Sequence, residues 1–308
     1  MKVSTDAQVE LVIREYEANN VRGDVILLGD VPSGVLELLP RGYVESWVPT
    51  DLATDLADKI PARFHDPFVV SNDGTVFAYN TSIEESCPID NIWALTEEEW
   101  RGRLALQDLL GRAALLDWFN QMETHMDDAV AAAAAYEAHF GMPLQTEEPS
   151  ATAAWVAALA ANGPLLTDAD QGISDAVGTV GQSTSFVGII SSAKSRDNAE
   201  RGYALGLCAG VAPVSGNMTP TLAVINARTQ SPNAARLMVR YLATPEGMAP
   251  QMINGKMPTN VDAVLPADEP SGIGAVLDQI YLFDAATAAQ DWDARQDWQD
   301  QWRIHYRR

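Results

Sequence analysis

Hydrophobic and polar positions follow two rhythms along the chain, one typical of helices and one of strands. Apolar residues recur at helical spacing in DAQVELVIREYEAN, where one face carries Val9, Val12, Ile13 and Tyr16. The run DVILLGD predicts a buried parallel strand at 24–30. FVVSNDGTVFAYN predicts two strands joined by an Asn-Asp-Gly turn. Strands and helices alternate throughout, which predicts an α/β fold with parallel sheets.

The centre and the end of the chain are predicted to be helical. ALLDWFNQMETHMDDAVAAAAAYEAHFG has high helix propensity and a stop at Gly141, and EEPSATAAWVAALAANG is a second helix between Pro-Ser and Asn-Gly. Further strands are predicted at 103–107 and in SFVGIISSAK, GLCAGVAPVSG and TLAVINA. The tail from Ser271 is again helical.

The stretch SPNAARLMVRYLATPEGMAPQMINGKMPTN directly follows the strand TLAVINA. Its punctuation by Pro232, Pro245 and Gly247 predicts helix, turn and helix. The apolar positions at helical spacing in the first of these helices are Ala234, Ala235, Leu237, Met238, Tyr241 and Leu242.

The composition is strongly acidic, with a formal net charge of -22. This field opposes binding to nucleic acid or to an anionic membrane surface, and an anionic ligand would need a local positive site. No apolar run approaches the length of about 18 residues that a membrane span needs. The cysteines are Cys87 and Cys208. They allow one disulfide in an oxidising compartment or two separate buried thiols.

The chain opens MKVSTDAQVELVIREYE, without a basic segment followed by an apolar one. Taken literally, the absence of this signal peptide predicts a cytoplasmic protein. In a trimmed or wrongly started chain, the same opening predicts nothing about location.

Several segments, in order, resemble the extracytoplasmic solute-binding proteins of ABC importers, in the cluster that includes ferric-iron and sugar-phosphate binders. They are spread over residues 23–248, and four such segments in register are fairly specific together, although none is a catalytic fingerprint. The segments are GDVILLGDVPSGVLELLPRGYVESWVP, VFAYNTS with PIDNIWALTEEEWRGRLALQD, AVGTVGQSTSFVGIISSAKSRD, and LAVINARTQSPNAARLMVRYLATPEGM.

The resemblance implies a periplasmic-binding-protein-like fold of two α/β lobes joined by hinge crossover strands, with ligand captured by lobe closure. We expect residues 1–81 and 214–270 in lobe 1, and 82–213 and 271–308 in lobe 2. The family places a further strand and helix before KVSTDAQVELVIREYE, so we expect the first βα unit, roughly forty residues, to be missing. The implied protein is an extracytoplasmic monomer with no cofactor. Its partners are an importer's membrane permease and, through it, an ATPase.

Ligands of open α/β sheets bind beyond the carboxyl ends of strands and at helix N-termini. That rule selects residues that could donate hydrogen bonds to a sugar or bind an anion. The alternative at each position is a purely structural role, as a turn, a helix cap or a solvated surface side chain. Ser150 opens a helix, where it is a candidate anion contact or a plain cap. Lys194 is a candidate local positive charge or a solvated lysine. The complete set is Gly29, Asp30, Tyr79, Asn80, Thr81, Ser150, Ala151, Thr152, Gln182, Ser183, Ser191, Ser192, Lys194 and Asn217.

The predicted ligand is a small organic anion, with a sugar phosphate or another organophosphate as first choice. Ferric iron is the alternative, and the tyrosines are all isolated from one another, which disfavours the hard anionic oxygen set that iron needs. We therefore expect no metal site. The sequence has no Gly-x-Ser-x-Gly elbow, His-Glu-x-x-His or P-loop, so we do not expect an enzyme. A scaffold protein without a ligand is the remaining alternative.

Overall fold

The computed structural model describes residues 5–53 and 59–307. The α-helices are α1 (Thr5–Glu17), α2 (Val31–Ser33), α3 (Thr50–Ala53), α4 (Ala113–Thr124), α5 (Met126–Phe140), α6 (Ala151–Ala161), α7 (Asp170–Gly178), α8 (Asp197–Arg201), α9 (Pro232–Leu242), α10 (Pro245–Met252) and α11 (Ala288–His305). The strands are β1 (Val25–Leu28), β2 (Val44–Ser46), β3 (Val69–Asn80), β4 (Leu104–Gln107), β5 (Leu165–Thr167), β6 (Val187–Ser191), β7 (Leu205–Leu207), β8 (Gly216–Asn226), β9 (Lys256–Pro258) and β10 (Tyr281–Leu282).

The chain divides into two compact units. Unit 1 comprises Met1–Asp73, Thr219–Glu269 and Ala285–Trp292, and unit 2 comprises Gly74–Met218, Pro270–Asp284 and Asp293–Arg308. Strands β3 and β8 and helix α11 each contribute residues to both units. The lobe assignment made from the sequence stays a prediction, because compactness alone does not define which parts move together.

In unit 1, β1 and β2 both pair antiparallel with β8, and β9 pairs antiparallel with β3. The prediction of a buried parallel strand at 24–30 is therefore wrong. Burial alternates along β1, as expected for a strand with one face on the core.

The two helices and the turn between them predicted after TLAVINA are confirmed, as α9 and α10. Thr244 caps α10 by accepting a hydrogen bond from the Gly247 amide at 3.2 Å. The predicted apolar face is only partly right. Ala235 and Leu242 are buried, together with Val239, whereas Leu237, Met238 and Tyr241 are exposed.

In unit 2, β3 pairs antiparallel with β6 and β7, while β4 pairs parallel with both β5 and β6. The sheet is therefore mixed, where the sequence predicted parallel strands. The core against it is aromatic, with Trp118, Phe119 and Trp155 fully buried and their rings in contact.

The predicted hairpin in FVVSNDGTVFAYN is wrong, because β3 is one continuous strand. Asn72 and Asp73 remain extended, since they pair with Met257 and Lys256 of β9. Gly74 is needed for close packing here: a Cβ at this position would lie 2.2 Å from Cδ1 of Ile273.

Cys87 and Cys208 form a disulfide within unit 2. Of the two alternatives left open by the sequence, the bridge is therefore the one that the structure contains. Within the described part of the chain, no helix is long and apolar enough to span a membrane.

Candidate functional site

Polar side chains gather where the parallel strands of unit 2 end. Gln107 ends β4, Thr167 ends β5 and Ser191 ends β6. Since these strands run parallel, their carboxyl ends lie at the same edge of the sheet. Thr75 joins this edge, because it is the register partner of Ser191. This is the edge at which open α/β sheets bind ligands.

Arg112 brings a positive charge to this edge. After β4, Asp108 accepts the Leu110 amide at 3.0 Å and starts a single 3-10 turn. That turn carries Arg112 back to the sheet edge, immediately before α4.

The Arg112 guanidinium is held by donated hydrogen bonds. Nη1 donates to Asp170 Oδ1 at 3.1 Å and to Gln107 Oε1, and Nη2 donates to Thr75 Oγ1 at 3.3 Å. The Arg112 and Asp170 side chains are 21% and 22% exposed. A guanidinium fixed in this way presents its remaining N–H groups in a defined direction, as recognition of an anion requires.

Helix α7 brings Asp170 to this edge because it packs closely on β6. A Cβ on Gly188 would lie 2.8 Å from Cγ2 of Ile173 and 2.9 Å from Cγ2 of Val177. Glycine at this position therefore allows the close approach. The loop from β5 into α7 is tied by Thr167 Oγ1, which donates to the Ala169 carbonyl at 3.1 Å.

Lys194, the cation predicted from the sequence, is occupied by its own neighbours. Its ammonium donates to Gln171 Oε1 at 2.5 Å and to Asp197 Oδ2 at 3.4 Å. Asp197 is buried and also accepts from Ser174 Oγ at 2.7 Å. Burial acts to raise the pKa of Asp197, but the Ser174 hydrogen bond and the Lys194 charge outweigh it, and the pKa is lowered. Lys194 therefore neutralises a buried carboxylate.

The candidates at 79–81 lie at the other end of the unit 2 part of β3. Asn80 and Thr75 are five positions apart on one extended strand, roughly 17 Å. Asn80 is fully buried and donates to the carbonyls of Val177 and Thr179 at 2.8 and 2.9 Å. These bonds fix the end of α7, so the structure assigns Asn80 a structural role at that place.

The neighbours of Asn80 share this location. Gln182 also donates to the Val177 carbonyl, at 3.0 Å. Tyr79 packs partly buried against the aromatic core, and both Thr81 and Ser183 are exposed. This group is therefore separated from the 191–194 group by the length of α7, and the structure does not bring the two together.

The Ser150 group lies at a third place. Ser150 caps α6 by accepting the Ala153 amide at 2.9 Å, and its hydroxyl donates to Glu123 Oε2 at 3.0 Å. Glu123 is eleven residues along from Arg112, about 16 Å in helical rise. A carboxylate at this helix N-terminus repels a bound anion. Thr152 is buried and Ala151 half-buried behind it.

The remaining candidates are dispersed. Asp30, in unit 1, is buried and caps α2 by accepting the Ser33 amide at 3.0 Å, directly after Gly29. Asn217 is buried on β8 in unit 2, opposite Tyr281 of β10. Ser191 and Ser192 are buried, and Ser191 lies at the Arg112 edge as the register partner of Thr75.

Arg112 is not among the site residues predicted from the sequence. The strand at 103–107 was predicted, and the rule that ligands bind beyond strand ends applies to it as well as to the others. The signal was available in DLLGR, where a short turn after the strand precedes the arginine and the long helix.

A cleft of about 420 Å³ opens at the opposite, amino-terminal end of β4 and β5. Its walls contain no charged side chain, and they are formed by Gly102, Gly163, Pro164, Leu165, Leu166 and Tyr306. This cleft therefore offers no counter-charge to an anion. Across the described ranges, no three His, Cys, Asp or Glu side chains are grouped so that they could hold a metal ion.

Comparison with protein-family models and with curated protein sequences finds no match. Solved structures do match. The substrate-binding protein of an ABC transporter from Agrobacterium tumefaciens superposes with a TM-score of 0.71 at 14% identity, covering 99% of this chain and 85% of that one. Iron-bound HitA from Pseudomonas aeruginosa gives 0.69 at 16%, covering 97% and 89%. The periplasmic binding protein AfuA from Actinobacillus pleuropneumoniae, with exogenous fructose-6-phosphate bound, gives 0.66 at 17%, covering 99% and 88%.

These similarities confirm the predicted fold class. The chain has the α/β fold of the substrate-binding proteins of ABC transporters, the type II periplasmic-binding-protein fold. Two of these proteins hold different ligands, iron in one and a sugar phosphate in the other. The fold alone therefore does not select a ligand, and the ligand must be argued from the residues of this chain.

Proposed function

We propose that this chain is the extracytoplasmic solute-binding protein of an ABC importer and that it captures a small organic anion. The observation that carries this proposal is Arg112, a fixed and partly exposed cation at the carboxyl ends of the parallel strands, in a chain with the fold of ABC-transporter substrate-binding proteins. The acid group of the ligand, a phosphate, phosphonate or carboxylate, is placed on the free N–H groups of Arg112. No chemistry is performed on the ligand, and the partners are the permease and ATPase of the importer.

Organophosphates remain the preferred class, and two observations support this. A guanidinium matches the geometry of phosphate oxygens in a bidentate manner. AfuA, whose fold this chain shares, was solved with fructose-6-phosphate. The disulfide between Cys87 and Cys208 supports the extracytoplasmic location, because such bridges persist in oxidising compartments.

Iron is the second candidate, because HitA is iron-bound and has the same fold. The residues at the Arg112 edge argue against it. A ferric ion requires several anionic oxygen donors, whereas the carboxylates described at this edge are already engaged, Asp170 with the Arg112 guanidinium and Asp108 with the Leu110 amide.

A thermal-unfolding panel tests the proposal. It contains hexose phosphates, alkylphosphonates, inorganic phosphate, ferric citrate and neutral sugars. A ligand at about a hundred times its dissociation constant stabilises the fold by ~2.7 kcal/mol. We expect such a shift with at least one organic anion in the wild type, and its loss in Arg112→Gln.

Arg101→Gln is the matched control, because Arg101 is another arginine of unit 2 paired with a carboxylate, that of Glu98. This variant should keep the shift. A shift with ferric citrate alone would support iron instead. Equal shifts in the wild type and Arg112→Gln would remove Arg112 from the site. Lobe closure is a separate hypothesis from the sequence, and small-angle scattering with and without the stabilising compound tests it.

A further inference from the structure

The anion site proposed above has a carboxylate beside its cation. Asp170 accepts from Arg112 at 3.1 Å, and the two side chains are exposed to the same extent, 22% and 21%. In the part of the chain that the structure describes, Arg112 is the single charged partner of Asp170. The other acceptors of Arg112, Gln107 and Thr75, are neutral. Arg112 and Asp170 therefore present a positive and a negative group side by side at this edge.

Lys194, a second cation near this carboxylate, does not pair with it. Lys194 is 13% exposed and is paired with Asp197, which is 2% exposed, so its charge is balanced by Asp197. Asp108 adds a second carboxylate to the same edge, where it caps the turn before Arg112. A ligand that carries only negative charge would meet Arg112 favourably and these carboxylates unfavourably.

A ligand with an ammonium group next to its acid group matches both partners. Its acid group lies on the guanidinium and its ammonium on the Asp170 carboxylate, so that the four charges alternate in sign. Each group then forms a charge-assisted hydrogen bond, and neither member of the protein pair is left without an opposite charge.

We propose that the ligand is a small zwitterion, an organic acid with an ammonium group two or three bonds from the acid group, and that Asp170 is the residue that selects it. This inference rests on the proposed function, since it concerns the same site. The proposed ligands are therefore acids that also carry an ammonium group. They include aminoalkyl phosphates, aminoalkylphosphonates and, with a carboxylate as the acid group, amino acids.

Calorimetric titration with two matched pairs of probes tests the inference. The pairs are 2-aminoethylphosphonate with ethylphosphonate, and β-alanine with propionate, and each pair differs in the ammonium group. We expect the wild type to bind the aminated member of at least one pair about tenfold tighter or more, the effect of one hydrogen bond between charged groups. The pair that shows this preference identifies the acid group.

Asp170→Asn should remove the preference, and it should strengthen binding of the member without the ammonium, because the repelling charge is gone. Asp175→Asn is the matched control on the same helix. Asp175 accepts from Gln171 at 2.8 Å and from the Tyr203 hydroxyl at 2.9 Å, and its loss should leave the preference unchanged. A merely structural role of Asp170 at the start of α7 would lower stability without changing the ratio within a pair.

Equal affinity within both pairs in the wild type overturns the inference, as does tighter binding of ethylphosphonate or propionate. If these simple anions bind and Arg112→Gln abolishes their binding, the proposed function stands while the zwitterion inference fails. If neither aminated probe binds, the inference is also overturned, and the thermal-unfolding panel decides the proposed function on its own.

Discussion

Removing the disulfide between Cys87 and Cys208 should destabilise unit 2 by an amount that follows from the length of chain it closes. The two cysteines are separated by 121 positions. In the chain-entropy treatment, a closed loop of this length stabilises the folded state by about 5 kcal/mol at 25 °C, through restriction of the unfolded chain. For a chain of 308 residues, this corresponds to a fall in Tm of about 8 °C.

The double variant Cys87→Ala/Cys208→Ala is the suitable perturbation. Cys208 is fully buried, and alanine there adds no polar group to the core. Guanidinium-induced unfolding of the oxidised wild type and the double variant gives the difference in free energy. The wild type with added reductant is the control, and it should unfold close to the variant.

A loss of less than about 1 kcal/mol would refute this reasoning, because the loop-closure effect would then be almost absent. Two free thiols in the denatured, unreduced wild type would refute it more directly. They would also remove the support that the bridge gives to an extracytoplasmic location.

Two further predictions concern residues whose roles the structure redefines. Asn80→Ala should cost about 1–3 kcal/mol of unfolding free energy, because the Val177 and Thr179 carbonyls at the end of α7 each lose a donor. The exposed control Thr81→Ala should change the unfolding free energy little. Both variants should keep their ligand affinity in the calorimeter, and a loss of affinity in Asn80→Ala at unchanged stability would contradict the structural role. Asp197→Asn should cost about 3 kcal/mol at pH 7, because it breaks a buried ion pair and leaves Lys194 without its carboxylate. Since the folded-state pKa of Asp197 is lowered, its contribution is fully present above the ordinary carboxyl pKa of about 3.9 and is lost as the pH falls through the lower folded value. Between pH 7 and pH 3, the unfolding free energy measured with urea should therefore fall less in Asp197→Asn than in the wild type. If the unfolding free energies of the two proteins fell in parallel with pH, the stabilising role of ionised Asp197 would be contradicted.

Local patterns predicted most of the elements, because the signals concerned are local. Pro232 and the Thr-Pro-Glu-Gly turn place α9 and α10, and Ser150 caps α6 where the sequence put a helix start. The exposed Leu237, Met238 and Tyr241 show the limit of periodicity. A helical stripe can be read from spacing, but which part of it meets the core depends on how the helix is docked.

Pairing between distant strands could not be predicted in this way. Asn72, Asp73 and Gly74 have the composition of a turn, yet β9, nearly two hundred residues later, pairs with the first two and keeps them extended. The direction of β1 likewise depends on β8. Such pairings depend on tertiary contacts, which override local turn preference.

The candidate site was likewise predictable only where local signals determine it. Polar residues at strand ends were found, but which of them are saturated by their neighbours is decided by packing. Lys194 was selected because it follows a strand and is one of few lysines, and Asp197, three residues later, takes its charge. Arg112 reaches the edge through a turn whose course is set by Asp108, and Asp170 reaches it because Gly188 admits α7.

The most direct test of the account is a calorimetric titration of the panel compound that stabilises the wild type most, into the wild type, Arg112→Gln and Arg101→Gln. A charge-assisted hydrogen bond contributes about 1.5–3 kcal/mol, so we predict a weakening of roughly 10- to 150-fold in Arg112→Gln and no change in Arg101→Gln. Equal affinity in all three proteins would contradict the claim that Arg112 holds the ligand.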